Sequence, residues 1–181
     1  WAKRFGMNLI RVLDAVDPRI SAFRDVKERD LTGRQGLFVA EGEVVLRVGG
    51  AIQVKNSGDE AAFDMAMLQS LGVFTITTTT LWTDGEQTFA GVPLRAVLDR
   101  VGASGSKIDA QALNDYRADI PISDLQKDGP ILAYSQNGVP LSVRDMGPLW
   151  VIYPYDSSLS FQTELIYARS VWQLQRIVVL P

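Results

Sequence analysis

The strongest constraint on this chain is local: Gln136-Asn137-Gly138 stands between two apolar runs, Ile131 to Ser135 and Val139 to Val143. Asn-Gly supplies the left-handed residues that a tight turn between twisted strands needs, so the stretch predicts a β-hairpin. Strand patterns recur on both sides of it. A short strand is expected at Ala51 to Lys55, Val73 to Thr80 is β-branched, and Ile108 to Ile120 reads as one or two strands broken at Asn114-Asp115. Leu149 to Tyr153 and Gln173 to Leu180 complete the set. Helices are fewer. Ser57-Gly58-Asp59 is placed to cap a helix running to Leu71, with Phe63, Met67 and Leu71 on one face and Gly72 as its stop. Leu94, Val97, Leu98 and Val101 share a face of a second helix that Gly102 ends, and Ser123 to Lys127 is about one further turn. Strands outnumber helices and the two are mixed along the chain, which predicts an α+β domain.

Composition shifts near residue 47. The segment from Asn8 to about Arg47 is rich in arginine and acids, with Asp17-Pro18 set to open a helix, and later residues turn to threonine, valine and aromatics. Glu43 to Val48 suits helix and strand equally. The reading is therefore an N-terminal, partly helical extension over 1–44 and a strand-rich domain over 45–181. At 181 residues one core is sustainable, and no run approaches the ~18 apolar residues of a membrane span. Trp1 to Gly6 carry no apolar export signal, and a start at Trp1 leads to the expectation that something upstream has been removed.

The chain has no cysteine and no histidine. Thiolate nucleophiles, sulfur- or imidazole-ligated metals and imidazole triads are thereby excluded. A net charge of −3 provides no global basic field, so nucleic acid is not an expected partner. Four clusters remain. Thr77-Thr78-Thr79-Thr80-Leu81-Trp82 offers hydroxyls and an indole at a strand end; it either lines a site for a flat polar heterocycle or fills a strand and covers a core edge. Asn114-Asp115-Tyr116 suits an Asx turn. Val143-Arg144-Asp145-Met146-Gly147-Pro148-Leu149-Trp150 presents Arg144, Asp145 and Trp150 around a rigid turn. Arg169 and Trp172 read as an arginine whose stem covers a core tryptophan while its head reaches water.

Taken in order, these clusters resemble the molybdopterin-binding oxidoreductase domain of the sulfite oxidase type. The resemblance runs from about Val45 to Val179 and rests on Trp82, Phe89-Ala90-Gly91-Val92-Pro93-Leu94, Asn114-Asp115-Tyr116, Ile120-Pro121, Asn137-Gly138-Val139-Pro140-Leu141, Gly147-Pro148-Leu149 and Trp172. It implies a sulfite-oxidase-like fold. The departures bear on chemistry: the family's molybdenum-binding cysteine falls on or near Thr78, an expected arginine is Trp150, an expected lysine is Val171, and the family's histidine has no counterpart. A threonine hydroxyl cannot replace a soft thiolate on that metal.

The pattern is similar to the small, exported, cysteine-free branch of that fold regarded as pterin-binding proteins. It implies no molybdenum, no catalytic residue, no covalently bound cofactor, a pterin or molybdopterin-like ligand, a periplasmic location and a membrane receptor that makes or degrades cyclic di-GMP as partner. Ligand contacts are expected from Thr78, Trp82, Asn114, Tyr116, Arg144, Asp145 and Trp150. Replacing Trp150 by Ala should weaken binding at least about tenfold and leave the melting temperature almost unchanged.

Separately, Met7 to about Arg47 resembles the beginning of SpoU-type RNA ribose methyltransferases, through Asp17-Pro18-Arg19-Ile20, Phe23 to Leu31 and Gly36 to Glu43. The alternatives this leaves are a methyltransferase fragment or fusion and a degenerate molybdopterin oxidoreductase.

Overall fold

A computed structural model describes residues 42–126 and 128–181. Met7 to Glu41, with the expected Asp17-Pro18 helix start and most of the methyltransferase-like stretch, lie outside the described residues.

Two sheets make up the domain. The first has the order β2-β1-β10-β5-β6, built from β1 (Val44–Gly50), β2 (Ala61–Asp64), β5 (Lys107–Ala112), β6 (Arg117–Pro121) and β10 (Leu174–Leu180). Only its β1/β10 pair is parallel. The second joins β3 (Phe74–Thr78), β4 (Gln87–Pro93), β7 (Ile131–Gln136) and β8 (Val139–Pro140), and β9 (Trp150–Ile152) shares the far edge of β7 with β8. Among the described residues three short α-helices accompany them: α1 (Met65–Ser70), α2 (Leu94–Arg100) and α3 (Glu164–Arg169). The architecture is α+β and strand-rich, as the pattern predicts. Buried Leu46, Val48, Ile108, Ala110, Ile177 and Val179 form the core side of the first sheet, and Phe89, Val92, Leu132 and Val151 that of the second. Among the described residues no helix is long and apolar enough to cross a membrane.

The Asn-Gly turn forms as expected, with Asn137 at φ 51° and Gly138 at φ 78°. Asn137 does more than turn the chain. Its backbone N–H donates to the Thr88 carbonyl at 2.7 Å, and its side-chain oxygen accepts from the Thr88 amide at 2.9 Å, which fastens the hairpin to β4. Gly91 is required for a different reason: a Cβ there would lie 2.1 Å from the Leu132 carbonyl oxygen, so β4 and β7 can meet only across a bare α-carbon. Glu43 to Val48, balanced between helix and strand in sequence, enters β1 at Val44 because pairing with β2 and β10 buries Leu46 and Val48.

Three expectations are corrected, and one element arises that the sequence pattern does not announce. Ala51 to Lys55 is no strand; the amides of Gln53 and Val54 both donate to the Val101 carbonyl, at 2.9 and 3.0 Å, instead of to a neighbouring strand. The helix expected from Ser57 begins only at Met65. Asn56 brackets Ala62 through both amide atoms, Ala61 to Asp64 pair with β1, and the Asp64 carboxylate caps α1 by accepting from the Met67 amide at 2.8 Å. The strand expected to Val143 stops at Pro140, since Ser142 caps a single 3-10 turn over Val143–Asp145. Helix α3 carries no clear periodicity in sequence and is opened by Thr163, whose hydroxyl accepts from the Ile166 amide at 3.3 Å.

Candidate functional site

Trp82 lies on the loop between β3 and β4 and is the hub of an aromatic cluster. Its ring meets Trp150 and Trp172 edge-on at 5.6 Å between centroids, Tyr167 at 6.0 Å and Tyr155 at 6.5 Å. Edge-to-face contacts of this kind favour one fixed ring arrangement over a sliding stack. Trp172 carries Tyr116 on its outer side, with the two planes 4° from parallel and the centroids 6.5 Å apart. Tyr116 follows the Asn114-Asp115 turn at the tip of the β5–β6 hairpin, where Asp115 has φ 66° and the Asn114 side-chain oxygen accepts from the Tyr116 amide at 3.2 Å. The phenol is 45% exposed and donates to the Ala168 carbonyl at 2.8 Å, which links the hairpin to α3.

The residues singled out in sequence separate into distinct positions. Trp82 and Tyr116 are at the accessible side of the cluster, and Asn114 shapes the turn that carries Tyr116. Trp150 is 1% exposed, packs against Phe89 at 5.5 Å and donates its indole N–H to the Ser170 carbonyl at 3.2 Å. Its ring is core. The expectation that its removal leaves the melting temperature unchanged is corrected on that ground.

Arg144 and Asp145 lie exposed on the 3-10 turn, which Gln173 ties to the neighbourhood of Trp172 by donating from its side chain to the Val143 carbonyl at 2.7 Å and from its amide to the Met146 carbonyl at 2.9 Å. One oxygen of Asp145 accepts from the Ser142 hydroxyl at 2.6 Å, and Arg144 has no ion-pair partner among the described residues. Arg169 is not an arginine reaching into water: its guanidinium pairs with Asp124 at 2.8 Å, and both side chains are less than one-fifth exposed.

Thr78 ends β3 and is 1% exposed. Its hydroxyl donates to the Thr79 carbonyl at 3.2 Å and accepts from the Asp156 amide at 3.1 Å. Asp156 returns the contact. Its carboxylate accepts from the Thr79 amide at 2.5 Å and the Thr79 hydroxyl at 2.8 Å. These bonds to the charged form hold the Asp156 carboxyl below the usual carboxylate range. The Asp156 lock therefore fixes the start of the loop that presents Trp82. Beneath it, burial pushes the phenols of Tyr153 and Tyr155 far up, and both stay protonated donors, to Asp124 at 3.3 Å and to the Ser170 hydroxyl at 2.7 Å. Tyr155, Asp156 and Tyr167 were not legible as site residues, because the chain brings them to Trp82 only through the irregular segment after β9.

The landmarks from Trp82 to Leu149 fall within a stretch that a family comparison matches, and the two-sheet architecture is matched by a solved structure. Residues 58–161, more than half of the chain, match the oxidoreductase molybdopterin binding domain. The chain belongs to that family. Its fold is similar to that of the sulfane dehydrogenase SoxCD from Paracoccus pantotrophus, with a TM-score of 0.59 and 18% identity over 80% of this chain. The chain spans 40% of that protein's length. No curated protein sequence matches it significantly.

The family's metal does not fit the residues this molybdopterin-binding domain carries. The chain holds no thiolate or imidazole, and the Thr78 hydroxyl is already bonded on both sides. Among the described residues no three His, Cys, Asp or Glu side chains converge as metal ligands would. What the arrangement offers instead is a partly exposed aromatic surface, with Asn114 exposed in the turn that carries Tyr116 and with Arg144 and Asp145 exposed on the 3-10 turn that Gln173 holds.

Proposed function

We propose that this domain binds a pterin without turning it over, and reports the ligand to a membrane signalling receptor. The observation that carries the reading is the parallel Tyr116–Trp172 pair set against Trp82. A pterin is a flat ring system, and stacking on an indole adds about 0.5–1.5 kcal/mol beyond area burial. Tyr116 is held over Trp172 by one hydrogen bond at an exposed hairpin tip, so a flat ligand can share or take its place. The pyrimidine edge of a pterin groups donors and acceptors, which a carboxylate such as Asp145 and groups such as Asn114 and Arg144 complement. A ligand lacking that edge would leave partners unpaired at about 1–3 kcal/mol each. Thr78 acts from below, through the Asp156 lock, and Trp150 supports Trp82.

By the family branch it resembles, the protein works in the periplasm beside a receptor that makes or degrades cyclic di-GMP. Calorimetry with tetrahydropterin and oxidised pterin tests the binding step. Wild type should give saturable heat, and Tyr116→Ala and Trp172→Ala should each weaken binding about tenfold or more, with the exposed Tyr116 site leaving the melting temperature almost unchanged. A flat titration of wild type with both ligands overturns the reading, as does undiminished binding by both variants.

A further inference from the structure

Among the described residues strand β3 is an unprotected sheet edge, and its backbone orientation can be read from its neighbour. Thr77 faces Thr88 across the β3–β4 ladder, and the two hydroxyls meet at 3.1 Å. Both backbone polar groups of Thr88 are turned the other way, to Asn137. Thr77 and Thr88 are therefore a non-hydrogen-bonded pair, and the amide and carbonyl of Thr77 point out of the sheet. No register shift interrupts β3, so Thr75, two residues earlier, points the same way. These outward groups have no bonding partner among the described residues.

Natural edges are blunted by lysine, proline, bulges or an inward charge. This one has none of these: no charged residue occurs from Met65 to Thr83, and no proline does either. Val73 is 64% exposed, Phe74 42% and Leu81 66%, so the strand and its flanks expose large apolar side chains as well as backbone. The Asp156 carboxylate occupies the Thr79 amide and ends the open stretch there.

We propose that β3 is a self-association edge, at which a second copy of this chain pairs antiparallel about a two-fold axis at Ile76. The pattern is self-complementary. An axis through Ile76 sets Thr75 opposite Thr77 of the second copy and Thr77 opposite its Thr75. Each pair exchanges two backbone hydrogen bonds, so the four outward groups on each copy are all satisfied. The exposed threonine side chains of each pair then stand side by side, a favourable cross-strand combination, and Phe74 meets Thr78 of the second copy at the margin. No charge along the strand itself repels an identical copy. The small contact implies a weak, concentration-dependent dimer that extends the sheet of β3, β4 and β7 across both copies.

Sedimentation equilibrium on the full chain, from micromolar to submillimolar concentration, should show the mass rising from monomer to dimer. The double variant Thr75→Lys/Thr77→Lys places like charges opposite each other and should stay monomeric, with an unchanged circular dichroism spectrum. Mixing it with Thr75→Glu/Thr77→Glu should restore the dimer as a mixed pair. On wild type, the Thr75 and Thr77 amides should exchange with solvent freely when dilute and become protected as the dimer forms. The proposal is overturned by a wild type that stays monomeric, by a lysine variant that still dimerises, or by amides protected equally at every concentration. The last result would mean that another part of the chain covers the edge.

Discussion

Trp150 shows how one residue changes role when its surroundings are known. In sequence it stands where the family places a cationic group, and a tryptophan there suggested a platform for a flat ligand. In the fold its indole is enclosed by Phe89, Trp82 and the Ser170 carbonyl. Truncating a fully buried tryptophan removes its transfer free energy and leaves a cavity, a loss of about 3–5 kcal/mol. Trp150→Ala should therefore shift the urea midpoint strongly downward; a loss below about 1 kcal/mol would show the ring to be dispensable to the core. Tyr116 is the contrasting case at this scale, since nearly half of its surface is open and its truncation should be read in ligand affinity, not in stability.

Among the elements, β4 carries the tightest constraint. Its Gly91 faces the Leu132 carbonyl with no room for a methyl group, and the obstacle is backbone, which cannot rotate away. Gly91→Ala should cost about 3 kcal/mol or prevent β4 and β7 from pairing, measured by denaturant unfolding. Wild-type stability in that variant would mean the two strands can separate without loss. The Asn137-Gly138 turn, the break at Asn114-Asp115 and the buried face of α2 were legible because turn chemistry and helical period are local properties. The helix expected from Ser57 was not, because Ala61 to Asp64 become a strand through pairing with β1, a partner more than ten residues away. The site was half legible for the same reason. Trp82 and Tyr116 sit on loops that turn signals mark, whereas Tyr155, Asp156 and Tyr167 reach Trp82 by long-range packing alone.

At the scale of the whole molecule, the family's scaffold persists while its metal chemistry has no donor set. Restoring a single sulfur would not repair this. Thr78 is buried and bonded to the turn at Asp156, so a cysteine there would face protein on both sides. The positions at which the resemblance expects cationic groups for the cofactor's phosphate are Trp150 and Val171, each 1% exposed and part of the core. A charge introduced at either would be buried without a partner, which is costly. Regaining the thiolate and regaining the cations would therefore each disturb a buried position. Both wild type and Thr78→Cys, expressed in a molybdenum-replete host, should carry only background molybdenum by elemental analysis. Stoichiometric metal in wild type would overturn the pterin-only reading, and stoichiometric metal in Thr78→Cys would show that the missing thiolate alone separates this domain from its metal-binding relatives.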